Sequence, residues 1–593
     1  MTGDEPHYLV MADGLLPTLE IEQSGPYIRE FRTRTIYPGG LAPREAVPDE
    51  NNTHAVAGPR GLFNVHNLGL PVILAAPYLV LGELGARLTM IAVGAGIVSL
   101  LTLIALSAGL DRRRVYLIVT PLVVGLPLLP ASTQIYPDLP AGLFSLVVLI
   151  SLLQPELLAR RSATTLTTFS LAFLPWLHLR FVAISLLGLV AIVWTRRSSH
   201  SLLRNLMEFA APLAMSTIML GTYNWYAFGS PAGPYETGDV QTTTFTAMQF
   251  FSLLTDQNQG LLVQQPLHLI GLVMLGGLLR THLVPILTAA AFTVVSLGIN
   301  STHWALYGGW SFNGRFGWTA FTSVAVITLL SLAELNRRFP RLTKVVLALG
   351  ALVQSRYLVG LFVNNVDLMP RDRDAWVGTY SIFWSTVEPA LPVWTEVERA
   401  FRNTPNIVTV LLCVVLIVVG FSAWSTLRMR LLIAGAALLS TITVAAGYAI
   451  ARVSDPLPRQ WNGSALPAEI GSVNGPARIA TRDDQTGWLT FGPYWRVRSG
   501  NYEVTLTYTA SAERTPSITA PGTFEVYSRT VGQKLAEEVL TFGDEEARDL
   551  SLRISIDEES EGQLEFRTRY GGEGSLTVWS ITIAPSRVQA GST

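Results

Sequence analysis

Residues 87–114 read RLTMIAVGAGIVSLLTLIALSAGLDRRR. No side chain between Arg87 and Asp111 carries a charge. A helix needs about 20 such residues to cross the hydrocarbon core of a bilayer, and this run supplies them. Arg112, Arg113 and Arg114 follow at once. Basic residues accumulate on the cytoplasmic side of membrane proteins, so this end of the run is expected inside. One stretch therefore predicts both a span and its direction.

The same reading extends along the chain. Further apolar runs are Val115–Pro130, Leu139–Leu153, Thr164–Leu177, Phe181–Trp194, Phe209–Tyr226, Leu261–Leu279, Leu283–Leu297, Phe316–Leu330, Val345–Val363, Ile407–Ser425 and Leu431–Ile450. With the first they predict a polytopic α-helical domain of about 12 spans over 68–453. Arg160 with Arg161, Arg196 with Arg197, Arg280, Arg337 with Arg338, and Arg428 with Arg430 fall in alternate loops. This places residues 1 to about 85 outside the cytoplasm, together with everything after Ile450. Leu68–Leu84 contains Pro71 and Pro77 and reads as a short helix lying at the interface. Composition agrees: the 593 residues are 49% hydrophobic and 14% charged, where soluble domains have about 25% charged. A net charge of −1 points away from nucleic acid and other polyanions. The single Cys413 excludes an internal disulfide and a cysteine metal cluster.

The outward loops hold the candidate chemistry. Residues 1–67 read as an extracytoplasmic catalytic loop that begins with Asp4, Glu5, Pro6, His7 and Tyr8 and ends near His66. Adjacent acids are often only a solvated face; ahead of a membrane domain they are candidate general bases. Asp138, after Tyr136, opens a helix, where an acid is also a favourable cap. His178 and Arg180 join two runs with almost no loop, a costly place for polar groups without a partner. Asp256 and Gln257 offer hydrogen bonds for sugar hydroxyls. Gly309 and Trp310 precede Arg315, whose planar fork suits phosphate.

Residues 454–470 read as a linker rich in proline and glycine, and 471–593 as an extracytoplasmic antiparallel β-sandwich. Tyr502, Val504, Leu506 and Tyr508 alternate with polar residues, as do Leu550, Leu552, Ile554 and Ile556. Gly492–Val497 and Arg569–Gly572 resemble pieces of carbohydrate-binding jelly rolls, with Trp488, Trp495 and Tyr570 as sugar platforms or core aromatics. Asn364–Asn406 reads as an amphipathic interfacial segment.

Gly3–Leu9, Tyr136–Asp138, Trp176–Arg180, Asp256–Leu262 and Gly308–Arg315 together resemble the GT-C superfamily of integral membrane glycosyltransferases. The likeness is to the protein O-mannosyltransferase and lipid A aminoarabinose transferase type, and it covers about residues 1–330. It implies a plasma-membrane, multi-pass enzyme that moves a monosaccharide from a polyprenyl-phosphate donor to an extracytoplasmic glycan, glycolipid or protein acceptor, with inversion. Asp4, Glu5 and Asp138 are then the catalytic acids. His7, Tyr8, His66, Tyr136, His178, Arg180, Asp256, Gln257, Gly309, Trp310 and Arg315 are substrate-binding candidates. Asp4 and Glu5 are also oxygen ligands suited to Mg²⁺ or Mn²⁺, although no spacing demands a metal. The resemblance leads one to expect a helix before Met1, and the tail departs from the general pattern. Two alternatives stay open: a polysaccharide ligase or polymerase using a diphosphate-linked donor, and a lipid-linked sugar flippase, which would place acids at mid-span.

Overall fold

The computed structural model describes residues 3–234, 242–257, 259–303, 308, 311, 314–363, 391–394, 400–422, 426–453, 458–497, 500–512, 520–543, 546–557 and 562–586. The chain forms two compact units, Met1–Ala449 and Ile450–Thr593.

In the first unit the apolar runs lie mostly on helix among the described residues. Glu83–Ser107, Leu179–Arg196, Leu283–Ser301, Arg315–Arg338 and Thr404–Phe421 are long and apolar enough to cross a membrane. Gly69–Leu81, Asp138–Leu153, His268–Thr281 and Met429–Ile442 are apolar but shorter. Among the described residues these five meet both the length and the apolarity of a span, which does not confirm the expected count of about 12. Two of the expected runs break into pieces. The run after Val115 holds Pro121, ends as helix at Val123 and resumes only at Leu128–Ala131. Proline removes a backbone donor and interrupts the ladder. Leu88, Ile91, Leu103, Leu186, Val190, Leu411 and Val418 are exposed on these helices. Such bare apolar rows are suited to hydrocarbon rather than water.

The helix Trp318–Arg338 is the centre of this unit. It packs against Asp138–Leu153, His268–Thr281 and Leu283–Ser301. Its small hydroxyl residues let neighbours approach, and several satisfy their own polar atoms. Thr322 and Ser331 donate to Thr319 O and Ile327 O within the helix. Thr319 donates to the Asp138 carbonyl at 2.9 Å, and Thr328 meets His268 Nδ1 at 2.8 Å.

Residues 1–67, expected as a loop, are largely structured. Glu5–Leu15 and Ser24–Thr33 are helices, and Ala55–Gly58 pairs antiparallel with Gly61–Asn64. Glu5–Leu15 is buried on nearly every face. That is why it lacks the one-sided apolar periodicity that marks a surface helix. Gly58 lies against the helix Ala211–Phe228, where a Cβ would run into the Ala227 carbonyl. Gly58→Ala is therefore expected to lower stability by about 1–3 kcal/mol. Gly298→Ala, in a helix with open space around it, should be neutral or stabilising. Thermal unfolding of the two variants in detergent checks the contrast.

The second unit is antiparallel β in two sheets. One runs Gln533–Val539, Gly522–Ser528, Gly562–Tyr570, Gly487–Thr490, with Trp495–Val497 also paired to Gly562–Tyr570. The other joins Arg548–Ile556, Gly500–Ser511, Ser575–Pro585, Ala477–Ala480 and Ser472–Asn474. Val504, Leu506 and Tyr508 are buried on one face of their strand, and Leu552, Ile554 and Ile556 on theirs, as alternation predicts. Part of the stretch expected as a linker over 454–470 is sheet. Arg459–Asn462 is already a strand paired with Ser575–Pro585. Tyr570 is fully buried and donates to Gly574 O, so it belongs to the core and offers no platform. Trp495 packs edge-on against Trp461 at 5.3 Å. Trp488 lies beneath the Arg567 guanidinium.

Candidate active site

Asp4 sits at the N-terminus of the helix Glu5–Leu15, and its carbonyl accepts from His7 N and Tyr8 N. Its side chain makes no capping hydrogen bond. A cap of this kind is worth about 0.5–2 kcal/mol, which the helix forgoes. The carboxylate turns instead to Arg315, whose Nη1 lies 2.6 Å from Asp4 Oδ2.

Two histidines flank the same carboxylate. His54 Nδ1 is 3.6 Å from Asp4 Oδ1, and His66 Nε2 is 3.7 Å from Asp4 Oδ2. The hairpin brings them there. Ala55 pairs with Asn64, and Val65 N donates to His54 O just beyond the ladder, which sets His54 beside His66. His7 stacks on His54 at 3.7 Å, and Tyr8 on His66 at 4.5 Å. The buried Tyr27 hydroxyl ties the parts together: it meets His7 Nδ1 at 2.7 Å and accepts from His54 N and Asn64 Nδ2. Burial works to raise the Asp4 carboxyl, but Arg315, His66 and His54 outweigh it and hold it well below the usual carboxylate range. Burial lowers the imidazolium of His66 to about 4 and that of His7 well below its ordinary value.

A second acid–arginine pair lies alongside. Asp138 is fully buried and accepts from Arg180 Nη2 at 2.6 Å through Oδ1. Arg180 Nη1 donates to Asn300 Oδ1, and Asn300 Nδ2 donates to Phe316 O. The Arg180 guanidinium lies 5.0 Å from the Phe316 ring centre, and the Arg315 guanidinium 4.5 Å from that of Tyr136. Tyr136 and Phe316 thus link the two pairs. Arg180 Nε, Arg315 Nε and Asp138 Oδ2 are buried without a hydrogen-bond partner among the described residues. Their free valences leave room here for a water or a ligand group.

The structure brings together Asp4, His7, Tyr8, His66, Tyr136, Asp138, Arg180 and Arg315, with His178 beside Arg180 as an acceptor for its backbone N–H. It separates Glu5 from Asp4. Glu5 is buried, accepts from Ile135 N at 2.9 Å and faces Arg87 at 3.6 Å. Neighbours on a helix diverge by about 100°, so two adjacent acids point to different surroundings. Asp256 is fully buried and accepts from Trp394 N, while Gln257 N donates to Pro392 O. Gln259, in the same stretch, lies against Gly314, the residue before Arg315. Gly309 and Trp310 lie outside the described residues, as does most of Asn364–Asn406. The sequence reading missed His54, Tyr27 and Asn300. His54 was legible only through the hairpin register that sets it opposite Val65, next to His66.

No family model matches the chain, and no curated protein matches it. Among solved structures it is similar to ArnT from Cupriavidus metallidurans in the apo state, at 12% identity over 76% of this chain and 72% of that chain, with a TM-score of 0.38. It is similar also to the same protein bound to undecaprenyl phosphate, at 13% identity over 66% of this chain and 68% of that chain, TM-score 0.33. A third is the arabinosyltransferase EmbB from Mycobacterium smegmatis, at 12% identity over 99% of this chain and 64% of that chain, TM-score 0.32.

Proposed function

We propose that the chain is an integral membrane glycosyltransferase of the GT-C kind, which moves a monosaccharide from a polyprenyl-phosphate donor to an acceptor hydroxyl on the extracytoplasmic side. The observation that supports this most is the direct contact of Asp4 with Arg315 across 311 residues of chain, beside a second pair of the same kind. A base and a phosphate-binding cation are what the reaction needs.

The donor phosphodiester carries one negative charge, and the departing lipid phosphate carries two. The Nε–H donors of Arg315 and Arg180 have no partner among the described residues and are placed to hold that growing charge. When the phosphate engages Arg315, Asp4 loses the partner that suppresses its basicity. It then accepts the proton of the acceptor hydroxyl. The hydroxyl oxygen bonds to the anomeric carbon as the bond from that carbon to the phosphate oxygen breaks. One displacement inverts the centre. Asp138 holds Arg180 in place, and Tyr136 supports Arg315 from below.

Reconstituted protein supplied with labelled polyprenyl-phosphate hexoses and pentoses tests this reading. Release of sugar from at least one such donor is expected, and the absence of release from all of them would falsify the proposal. Glu5 has a different part, as a brace that fixes the Ile135 end of the segment carrying Tyr136 and Asp138. Glu5→Gln keeps an acceptor for Ile135 N and loses only the charge facing Arg87. A drop in kcat of less than about tenfold is expected from it, since it leaves the base in place.

A further inference from the structure

We propose that the end of the helix bundle opposite the candidate active site carries a seat for an anionic glycerophospholipid, with the lipid phosphate at Arg197 and the acyl chains along two exposed helix faces. The candidate site occupies one end of the bundle. Asp138 opens Asp138–Leu153, Arg180 stands just before Val182–Arg196, and Asn300 lies near the end of Leu283–Ser301. Leu153, Trp194 and Leu283 mark the other ends of the same three helices. At 1.5 Å per residue the two ends are roughly 20–27 Å apart. Between these far ends opens a cleft of about 420 Å³, lined in part by Leu152, Leu153 and Val284 and in part by Thr195, Arg197 and Ser198. That volume lies within the roughly 300–1,000 Å³ of small-molecule sites.

The cleft is divided as a lipid is, into a charged part and an apolar part. The Arg197 guanidinium lies 3.5 Å from the centre of the Trp194 ring, and its Nη1 donates to Trp194 O at 3.3 Å. These contacts engage the face of the fork and one donor, and the rest of its edge suits a phosphate. Charge on this end favours an anion. Arg160, Arg161 and Arg280 are exposed near the lining. Glu208 is paired with Arg196 and Arg204, and Glu334 with Arg337 and Arg338. Glu156, exposed beside Pro155, is the one acid next in sequence to a lining residue. Basic residues of this kind gather at the cytoplasmic leaflet, which contains anionic lipids. The apolar half continues beyond the cleft. Leu186, Val190 and Trp194 follow at intervals of four on one helix, as do Leu283 and Leu287 on the helix packed against it, and all five are more than half exposed. Residues four apart share a helix face, so a row of hydrocarbon leads away from each side of the cleft. A free phosphate would use only Arg197 and the hydroxyls, whereas a phospholipid also covers these rows. The seat does not depend on what the other end of the bundle catalyses.

Native mass spectrometry tests the seat on the full chain in detergent, delipidated and then given phosphatidylglycerol or phosphatidylcholine at equal concentration. One phosphatidylglycerol per chain should be retained in preference to phosphatidylcholine. Arg197→Gln and Ser198→Glu should each weaken that retention at least about fivefold, the effect of about one charge beside an anionic lipid. Both positions are exposed, so both variants should fold. Arg341→Gln removes an exposed arginine from the same end, outside the cleft, and should leave retention unchanged. Equal retention of the two lipids overturns the proposal, as does retention unchanged in both Arg197→Gln and Ser198→Glu. An equal loss in Arg341→Gln and Arg197→Gln also overturns it, because a diffuse basic field then holds the lipid without a seat. Displacement of the lipid by an equal concentration of glycerol phosphate overturns a phospholipid as the occupant. None of these readouts uses donor turnover, so the lipid seat and the transferase reading fail separately.

Discussion

Asp4→Asn is expected to lower donor discharge by roughly a thousandfold while leaving a folded, membrane-inserted protein, the magnitude being that of a lost general base. Asparagine keeps the shape of the side chain and an oxygen that accepts from Arg315 Nη1. It loses the negative charge and the capacity to take a proton. The variant also leaves the buried Arg315 without its counter-charge, and breaking a buried pair costs about 3–5 kcal/mol. A lower melting temperature is therefore expected alongside the lost activity. The two effects separate on titration of the donor. A protein that is merely unstable loses active molecules and keeps kcat per folded molecule, whereas loss of the base lowers kcat itself. Asp4→Glu should recover part of the rate, because it restores a carboxylate displaced by one methylene. Donor discharge by Asp4→Asn within a factor of a few of wild type removes Asp4 as the base.

The parts of this protein that could be read from its sequence are those governed by one local rule. Apolar length predicted the helices, and two-residue alternation placed Val504, Leu506, Ile554 and Ile556 inside their sheets. The same rule, applied further, would have placed Tyr570 inside too, since it shares parity with Leu564, Phe566 and Thr568, all of them buried. Elsewhere two local rules competed. The run from Val115, counted as one span from its composition, breaks between Val123 and Leu128. The helix Glu5–Leu15 is buried all round, and a helix without a polar face gives no periodic signal. The gathering of Asp4, Tyr136, Asp138, Arg180 and Arg315 could be suspected from charges on one side of the bilayer, but their pairing could not. His54 belongs to the site because a hairpin of four-residue strands sets it opposite Val65, and nothing in its flanking residues states that register. Glu5 and Asp256 show the converse: acids at suggestive places whose carboxylates are taken up by backbone donors.

Arg315→Gln is expected to lower kcat by about 100- to 1000-fold, the range seen when one preorganised donor to a developing oxyanion is removed. The loss should fall mainly on kcat and less on KM, because the lipid phosphate gains its second negative charge only as the sugar departs. Arg315→Lys should recover little. Lysine restores a charge, but it cannot reproduce the planar fork that reaches Asp4 through Nη1, lies over Tyr136 and still has Nε–H to offer. The pH profile supplies an independent check. Arg315 contributes to holding the Asp4 carboxyl well below its ordinary value, so in the wild type the base stays ionised far into acid. Without Arg315 the burial of Asp4 is less opposed and its carboxyl moves up. The ionised base is then lost at higher pH, and the acid limb of kcat/KM, which reports the free enzyme, moves upward in Arg315→Gln. An unmoved acid limb together with an unchanged kcat would mean that Arg315 only neutralises a structural carboxylate, and that the donor phosphate binds elsewhere. A large fall in kcat with the limb moved upward requires one guanidinium to serve both groups in turn, first the carboxylate of the resting site and then the phosphate that displaces it.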